Sequence, residues 1–188
     1  MLVLLLSSLL NVIVALSNTD SYCVCTTVPC PVVGQNNIQM GGGTAKITYE
    51  YKLHNDNPVV VNAHGMITQL DLDKGTDTTS CTQKYSRMLD DDGIQDCDAG
   101  HILANRLGGY GNEPLNIFPQ DASINRGLYA QFENSIYHCI DSGANDASFK
   151  WIFTYENETR TKPNKINYSV SFNGGNCTYL SSDFTNGE

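Results

Sequence analysis

Positive charge is scarce in this sequence. Eleven Lys and Arg stand against 20 Asp and Glu, giving a net charge of −9 and a sequence pI near 4.7. A broad basic surface that grips nucleic acid by charge alone is thereby excluded. A polyanionic ligand would need cations concentrated locally or a bound metal. Long apolar runs are also few: only Met1 to Leu16 forms one, which excludes a polytopic membrane protein. Low-complexity tracts and internal repeats are absent. What is present is a chain of 188 residues, 40% hydrophobic and 16% charged. That is enough for one domain with its own core, and too apolar for a disordered chain.

The apolar run from Met1 to Leu16 resembles the core of a secretory signal, and polar Asn18-Thr19-Asp20 follows it. Ala15 and Ser17 stand at the small-residue spacing of a cleavage site, which places cleavage near Ser17. A membrane anchor is the alternative. The run is shorter than the ~20 residues a span needs, and it contains Ser7, Ser8 and Asn11, so no membrane association is expected. The expected division is a signal peptide over 1–17, a Cys/Pro/Gly-rich arm over 18–43 with Gly41-Gly42-Gly43 as a flexible joint, and one domain over 44–188. All seven cysteines (Cys23, Cys25, Cys30, Cys81, Cys97, Cys139 and Cys177) follow the signal. Cys23-Val-Cys25 with Cys30 lacks the usual zinc spacing and has no His nearby, so disulfides in an oxidising, extracellular compartment are favoured. The odd count leaves one thiol free or paired between chains. Sequons at Asn157, Asn167 and Asn176 permit glycosylation.

Hydrophobic periodicity points to an α+β domain with an antiparallel sheet. Ile47, Tyr49, Tyr51 and Leu53 alternate with polar residues as a half-buried strand. Val59-Val60-Val61 and Met66 to Leu72 read as two more strands, turned by Asn62-Ala-His-Gly65. Thr76 to Asp98 is acidic and reads as a solvated loop, with Asp90-Asp91-Asp92-Gly93 as an exposed turn rather than a calcium site. Ile124, Leu128, Phe132 and Ile136 recur every fourth residue, which predicts an amphipathic helix over ~123–140. Phe149 to Tyr155 and Ile166 to Phe172 then alternate as a hairpin turned at Thr161-Lys-Pro-Asn164. His54, His64 and His138 are read as structural.

Candidate chemistry clusters between residues 98 and 133: Asp98-Ala-Gly-His101, Arg106-Leu-Gly-Gly109, Asn116-Ile-Phe-Pro-Gln120, Asn125-Arg-Gly127 and Glu133. His101 has an imidazole that is neutral near pH 7 and suits a water-activating base, with a buried core histidine as the alternative. Gly100 lets the backbone pass close to a substrate or a partner strand. Asn125 offers a neutral oxygen for a hard cation such as Mg2+, or else it caps the helix. Glu133 lies eight residues on, just over two turns along the helix. It either orients metal-bound water or faces solvent. Asn116 is placed to hydrogen-bond a phosphate or to fix His101.

The order and spacing of these segments resemble the DNA/RNA non-specific endonucleases with a ββα-metal finger. The likeness is closer to the branch containing secreted bacterial nuclease toxins. It covers roughly 45–175 in pattern and is specific over about 98–133. The resemblance implies an antiparallel sheet with an embedded ββα-metal finger, a hairpin plus a metal-binding helix. It also implies a secreted, Mg2+-dependent endonuclease acting on DNA and on RNA and leaving 5′-phosphate products, with Mn2+ or another divalent cation as the substitute metal. By resemblance, His101 is the general base and Asn125 the metal ligand. Glu133 and Asn116 assist, and Asp98 and Gly100 support the motif. One position departs from the pattern: the best-studied branch carries Arg where this chain has Ala99, which removes a cation. Arg106 or Arg126 is expected to replace it, with Arg87 and Lys84 as further candidates. The alternative function is a catalytically weakened module that binds nucleic acid or a protein partner.

Overall fold

The computed structural model describes Cys25, residues 37–93 and residues 97–187. The expected signal peptide, its cleavage site, Cys23 and Cys30 lie outside the described residues. Six strands form one antiparallel sheet: β1 (Asn37–Met40), β2 (Lys46–His54), β3 (Asn57–Thr68), β6 (Asp146–Thr154), β7 (Lys165–Asn173) and β8 (Tyr179–Thr185), in the order β1-β2-β3-β6-β7-β8. β4 (Asp98–His101) and β5 (Ile117–Gln120) pair antiparallel as a second, two-stranded sheet. Helix α1 (Ser80–Leu89) precedes β4, and α2 (Ala130–Asp141) follows β5. The fold is therefore α+β, with the small sheet and the helices covering one face of the large one.

Alternation builds that face. Ala147, Phe149, Trp151 and Phe153 of β6 are buried, as are Ile166, Tyr168 and Val170 of β7 and Ile47, Tyr49 and Tyr51 of β2. Tyr129, just before α2, and Phe132, in its first turn, pack their rings on Tyr168 and Phe184. Such aromatic contacts combine large apolar burial with favourable edge-on geometry.

Four sequence expectations change. β3 is one strand, and Asn62-Ala-His-Gly65 runs through its middle, with Asn62 opposite Ile152 and Thr68 opposite Asp146. The turn falls instead at Asn55 and Asp56, whose φ values of 48° and 61° suit these two residue types. Polar residues on the outer face of β3 imitated a turn. Second, the supposed loop 76–98 contains α1. Its N-terminus carries a capping box between Thr79 and Thr82, and its buried positions are Thr82, Tyr85, Ser86 and Leu89. Third, the acidic turn is a clamp. Lys162 Nζ lies 3.0 Å from Asp90 and 2.5 Å from Asp92, with all three side chains largely buried. Asp91 accepts hydrogen bonds from the backbone N–H groups of Thr161 and Lys162. Fourth, the triglycine joint is a packed turn, in which Gly42 N–H donates to Gly108 O at 2.7 Å. Residues 37–40 consequently join the sheet as its edge strand.

Disulfides join Cys25 to Cys81 and Cys139 to Cys177, and Cys97 is unpaired. The first ties Cys25 to α1. The second ties the end of α2 to the loop between β7 and β8. Among the described residues, no helix is long and apolar enough to cross a membrane.

Candidate active site

β4 and β5 run directly beneath the helix that follows them. Asp98 pairs with Gln120 and His101 with Ile117, so the motif Asp98-Ala-Gly-His101 is a strand whose ends present an acid and an imidazole. Gly100 serves the partner strand. A Cβ there would meet the Gln120 side chain at 2.1 Å, so only glycine lets β4 and β5 close. Asp121 then turns the chain into the helix, its carboxylate accepting from the N–H groups of Ser123 and Ile124. Asp121, not Asn125, is therefore the N-cap. Replacing Asp121 with Ala is expected to cost ~0.5–2 kcal/mol, read as a lower melting temperature with the specific activity of the folded enzyme retained.

The helix opens with a single α-turn, Ala122–Ile124. It then widens into a π-segment, Asn125–Tyr129, that departs from helical dihedrals at Gly127, and continues as α2. The wide turn adds a residue to the repeat. Tyr129, not Leu128, therefore takes the core position: Leu128 is 62% exposed and Tyr129 1%. π-segments of this kind commonly occur at functional sites, and Asn125 stands at the start of this one.

Asn125 Nδ2 donates to Asp98 Oδ2 at 2.9 Å. A carboxylate can only accept, so this contact fixes the amide orientation. Asn125 Oδ1 has no partner among the described residues. Asp98 also takes two hydrogen bonds from Arg126, at 2.8 and 2.6 Å. Burial alone would raise the Asp98 pKa, but the Arg126 and Asn125 hydrogen bonds prevail and hold it below the usual carboxylate range.

His101 Nε2 lies 3.3 Å from Thr76 O. A carbonyl only accepts, so Nε2 carries the proton and Nδ1 keeps its lone pair. Burial lowers the imidazole pKa, and the Thr76 hydrogen bond and the charge of Asp77 offset part of that. Gly111 is required for this approach, since a Cβ there would lie 2.6 Å from the ring Nε2. Glu133 buries its Oε1 without a hydrogen-bond partner among the described residues. Burial raises its pKa well above the usual carboxylate range.

His101, Asn125, Glu133 and Arg106 line one cleft of about 300 Å³, together with Asn134 and Tyr137. Arg106 lies over the Tyr137 ring at 3.9 Å, donates to Asn134 and approaches Asp73. Two expected residues lie elsewhere. Asn116 is fully buried, its amide spent on Tyr49, Leu103 and Tyr110. It therefore organises the segment after His101 instead of facing the cleft. Arg126 is largely exposed, and its charge is committed to Asp98. Thr76 was missed, and no sequence signal could have found it, because it acts through a backbone carbonyl.

Among the described residues, no three His, Cys, Asp or Glu converge into a metal cage. The donor set at the cleft is the oriented amide oxygen of Asn125, with Glu133 in the wall beside it. That set fits a hard, largely hydrated cation such as Mg2+, which keeps several waters and takes few protein ligands.

A β-hairpin feeding a helix, with His101 and Asn125 lining one cleft, is an arrangement suited to a nuclease. Residues 44–174 match the DNA/RNA non-specific endonuclease model, and the chain belongs to that family of endonucleases. It is 37% identical over 121 residues to the probable deoxyribonuclease RhsA of Dickeya dadantii (strain 3937), a stretch that covers 64% of this chain. It spans only 8% of that much longer protein. The fold is similar to that of NucA from Streptococcus agalactiae with magnesium ion bound, at a TM-score of 0.54 and 12% identity over 81% of this chain and 77% of that one. For NucA with no metal bound, the TM-score is 0.51 and the identity 14%, over 87% and 76%.

Proposed function

We propose that this chain is a secreted, Mg2+-dependent endonuclease that hydrolyses phosphodiester bonds of DNA, and of RNA, leaving 5′-phosphate and 3′-hydroxyl ends. Mn2+ or another divalent cation serves as a substitute. The observation that carries this reading is the His101 ring. Its Nε2 is committed to Thr76 O, which leaves Nδ1 as the basic nitrogen of a residue that lines the cleft with Asn125.

His101 Nδ1 takes a proton from the attacking water as its oxygen bonds to phosphorus, while the P–O3′ bond breaks and the departing 3′ oxygen takes a proton from solvent. Asn125 Oδ1 would hold the cation, and Asp98 positions that oxygen by accepting from Nδ2. A bound divalent cation supplies charge neutralisation on the phosphoryl and leaving oxygens. Glu133 orients water on the helix side of the cleft. Arg106, fixed against Tyr137, offers a guanidinium to the phosphate at the far end. Asn116 contributes by holding the 103–110 segment in place. Secretion rests on the apolar N-terminal run and on the two disulfides, which persist in oxidising compartments.

The rival reading, a nuclease fold that binds without turnover, rests on Ala99. Incubating the oxidised protein with plasmid DNA and with RNA in Mg2+ separates the two. Both polymers should be degraded to short products whose 5′ ends accept a kinase label only after phosphatase treatment. A folded protein that retards DNA on a gel and leaves it intact with every divalent cation tried favours the binding module.

A further inference from the structure

Beyond His101 and Asn125 the cleft continues into a second hollow of about 420 Å³, lined by these two residues and by Thr78, Gln83, Arg87, Cys97, Asp98 and Ala99. Its charges can be accounted for one by one. Asp98 is neutralised by Arg126. Burial, and then Asp90, push the Cys97 thiol up to about 12, so it is uncharged at neutral pH. Arg87 is exposed and, among the described residues, has no ion pair. Ala99 contributes only a methyl group to the lining.

The wall carrying Arg87 is held rigidly. α1 is tied by the Cys25–Cys81 disulfide, by Thr82 Oγ1 donating to Gly111 O at 2.7 Å and by Ser86 Oγ to Asp98 O at 3.4 Å. Gln83 and Arg87 lie one helical turn apart on the same side. Gln83 Nε2 donates to Thr78 Oγ1 at 3.1 Å, so the Thr78 hydroxyl proton is free to donate onward. One cation and neutral donors, next to the candidate base in a chain of net charge −9, form a local anion seat on an otherwise repulsive surface.

We propose that this second hollow is a subsite for the phosphate adjoining the scissile one in a nucleic-acid strand, with Arg87 as its cation and Thr78 and Gln83 as its neutral donors. The inference rests on the nuclease reading of the His101–Asn125 cleft. Arg87 is a binding residue for the flanking backbone and plays no part in the proton transfers. Because it reads phosphate, it adds affinity without sequence preference.

The test compares two substrates in wild type, Arg87→Ala and Arg87→Lys: a single-stranded oligonucleotide, and bis(p-nitrophenyl) phosphate, a diester without neighbours. Arg87→Ala is expected to lower kcat/KM on the oligonucleotide by about tenfold or more, several times its loss on the lone diester, with Arg87→Lys recovering part of it. Oligonucleotide binding in EDTA, followed by fluorescence anisotropy, should show a log K against log salt slope shallower by about 0.7 in Arg87→Ala. Equal losses on both substrates, or an unchanged salt slope, overturn the subsite. Failure of wild type to cut either substrate refutes the nuclease reading instead, and the binding slope still decides the subsite.

Discussion

Replacing His101 with Ala is expected to lower turnover by about 10²- to 10⁴-fold, the usual contribution of a positioned base, while the fold persists. The ring sits at the end of β4 with one nitrogen tied to Thr76 O, so its removal deletes the base without opening the main sheet. The pH profile carries the sharper information. Burial lowers the imidazole pKa below its ordinary 6.5, with Thr76 and Asp77 restoring part of the loss. A base works in its neutral form, so activity should hold as the pH falls through 6.5 and be lost only below it. The same depressed pKa makes the unfolded state the better proton acceptor below pH 6.5, so stability should decline on acidification in that window. Measuring kcat/KM from pH 5 to 9 checks the assignment. An acid limb centred above 6.5, or a His101→Ala variant with wild-type turnover, would exclude His101 as the base.

Replacing Asn125 with Ala should lower activity by about 10²-fold or more, as expected for loss of a metal ligand, with little change in melting temperature. Its side chain makes one hydrogen bond, to Asp98, and Asp98 keeps its paired contact with Arg126 in the variant. The helix cap is supplied by Asp121, so the two substitutions should separate cleanly. Asp121→Ala costs stability and Asn125→Ala costs rate. Melting temperature and cleavage rate taken on one preparation of each variant test this. A destabilised Asn125→Ala with full specific activity would leave the residue no role as a ligand.

Particular residues explain how much was legible. The strands with strict alternation, β2, β6 and β7, could be read because one face is buried under helices and the other meets water. α1 could not, because two of its four buried positions are Thr82 and Ser86, which leave no apolar stripe. Asp90 to Asp92 looked solvated because their partner, Lys162, lies some seventy residues away in sequence. The helical repeat from Ile124 to Ile136 is visible in the sequence, but the π-segment that moves Tyr129 into the core and Leu128 out of it is not. At the site, His101, Asn125 and Glu133 stood out through order and spacing. The orientation of each, set by Thr76 O, by Asp98 and by burial, depends on contacts that arise only on folding.

The proposed mechanism centres on a hydrated cation that Asn125 Oδ1 would hold beside a neutral imidazole. A site with so few protein ligands binds its metal weakly, so chelation should act quickly and reversibly. The deciding measurement is plasmid cleavage before EDTA, in EDTA, and after excess Mg2+ is restored, with the circular dichroism spectrum recorded at each stage. Cleavage should be lost in EDTA and return in full with Mg2+, with an unchanged spectrum throughout. Cleavage that continues in EDTA at an undiminished rate would contradict the mechanism.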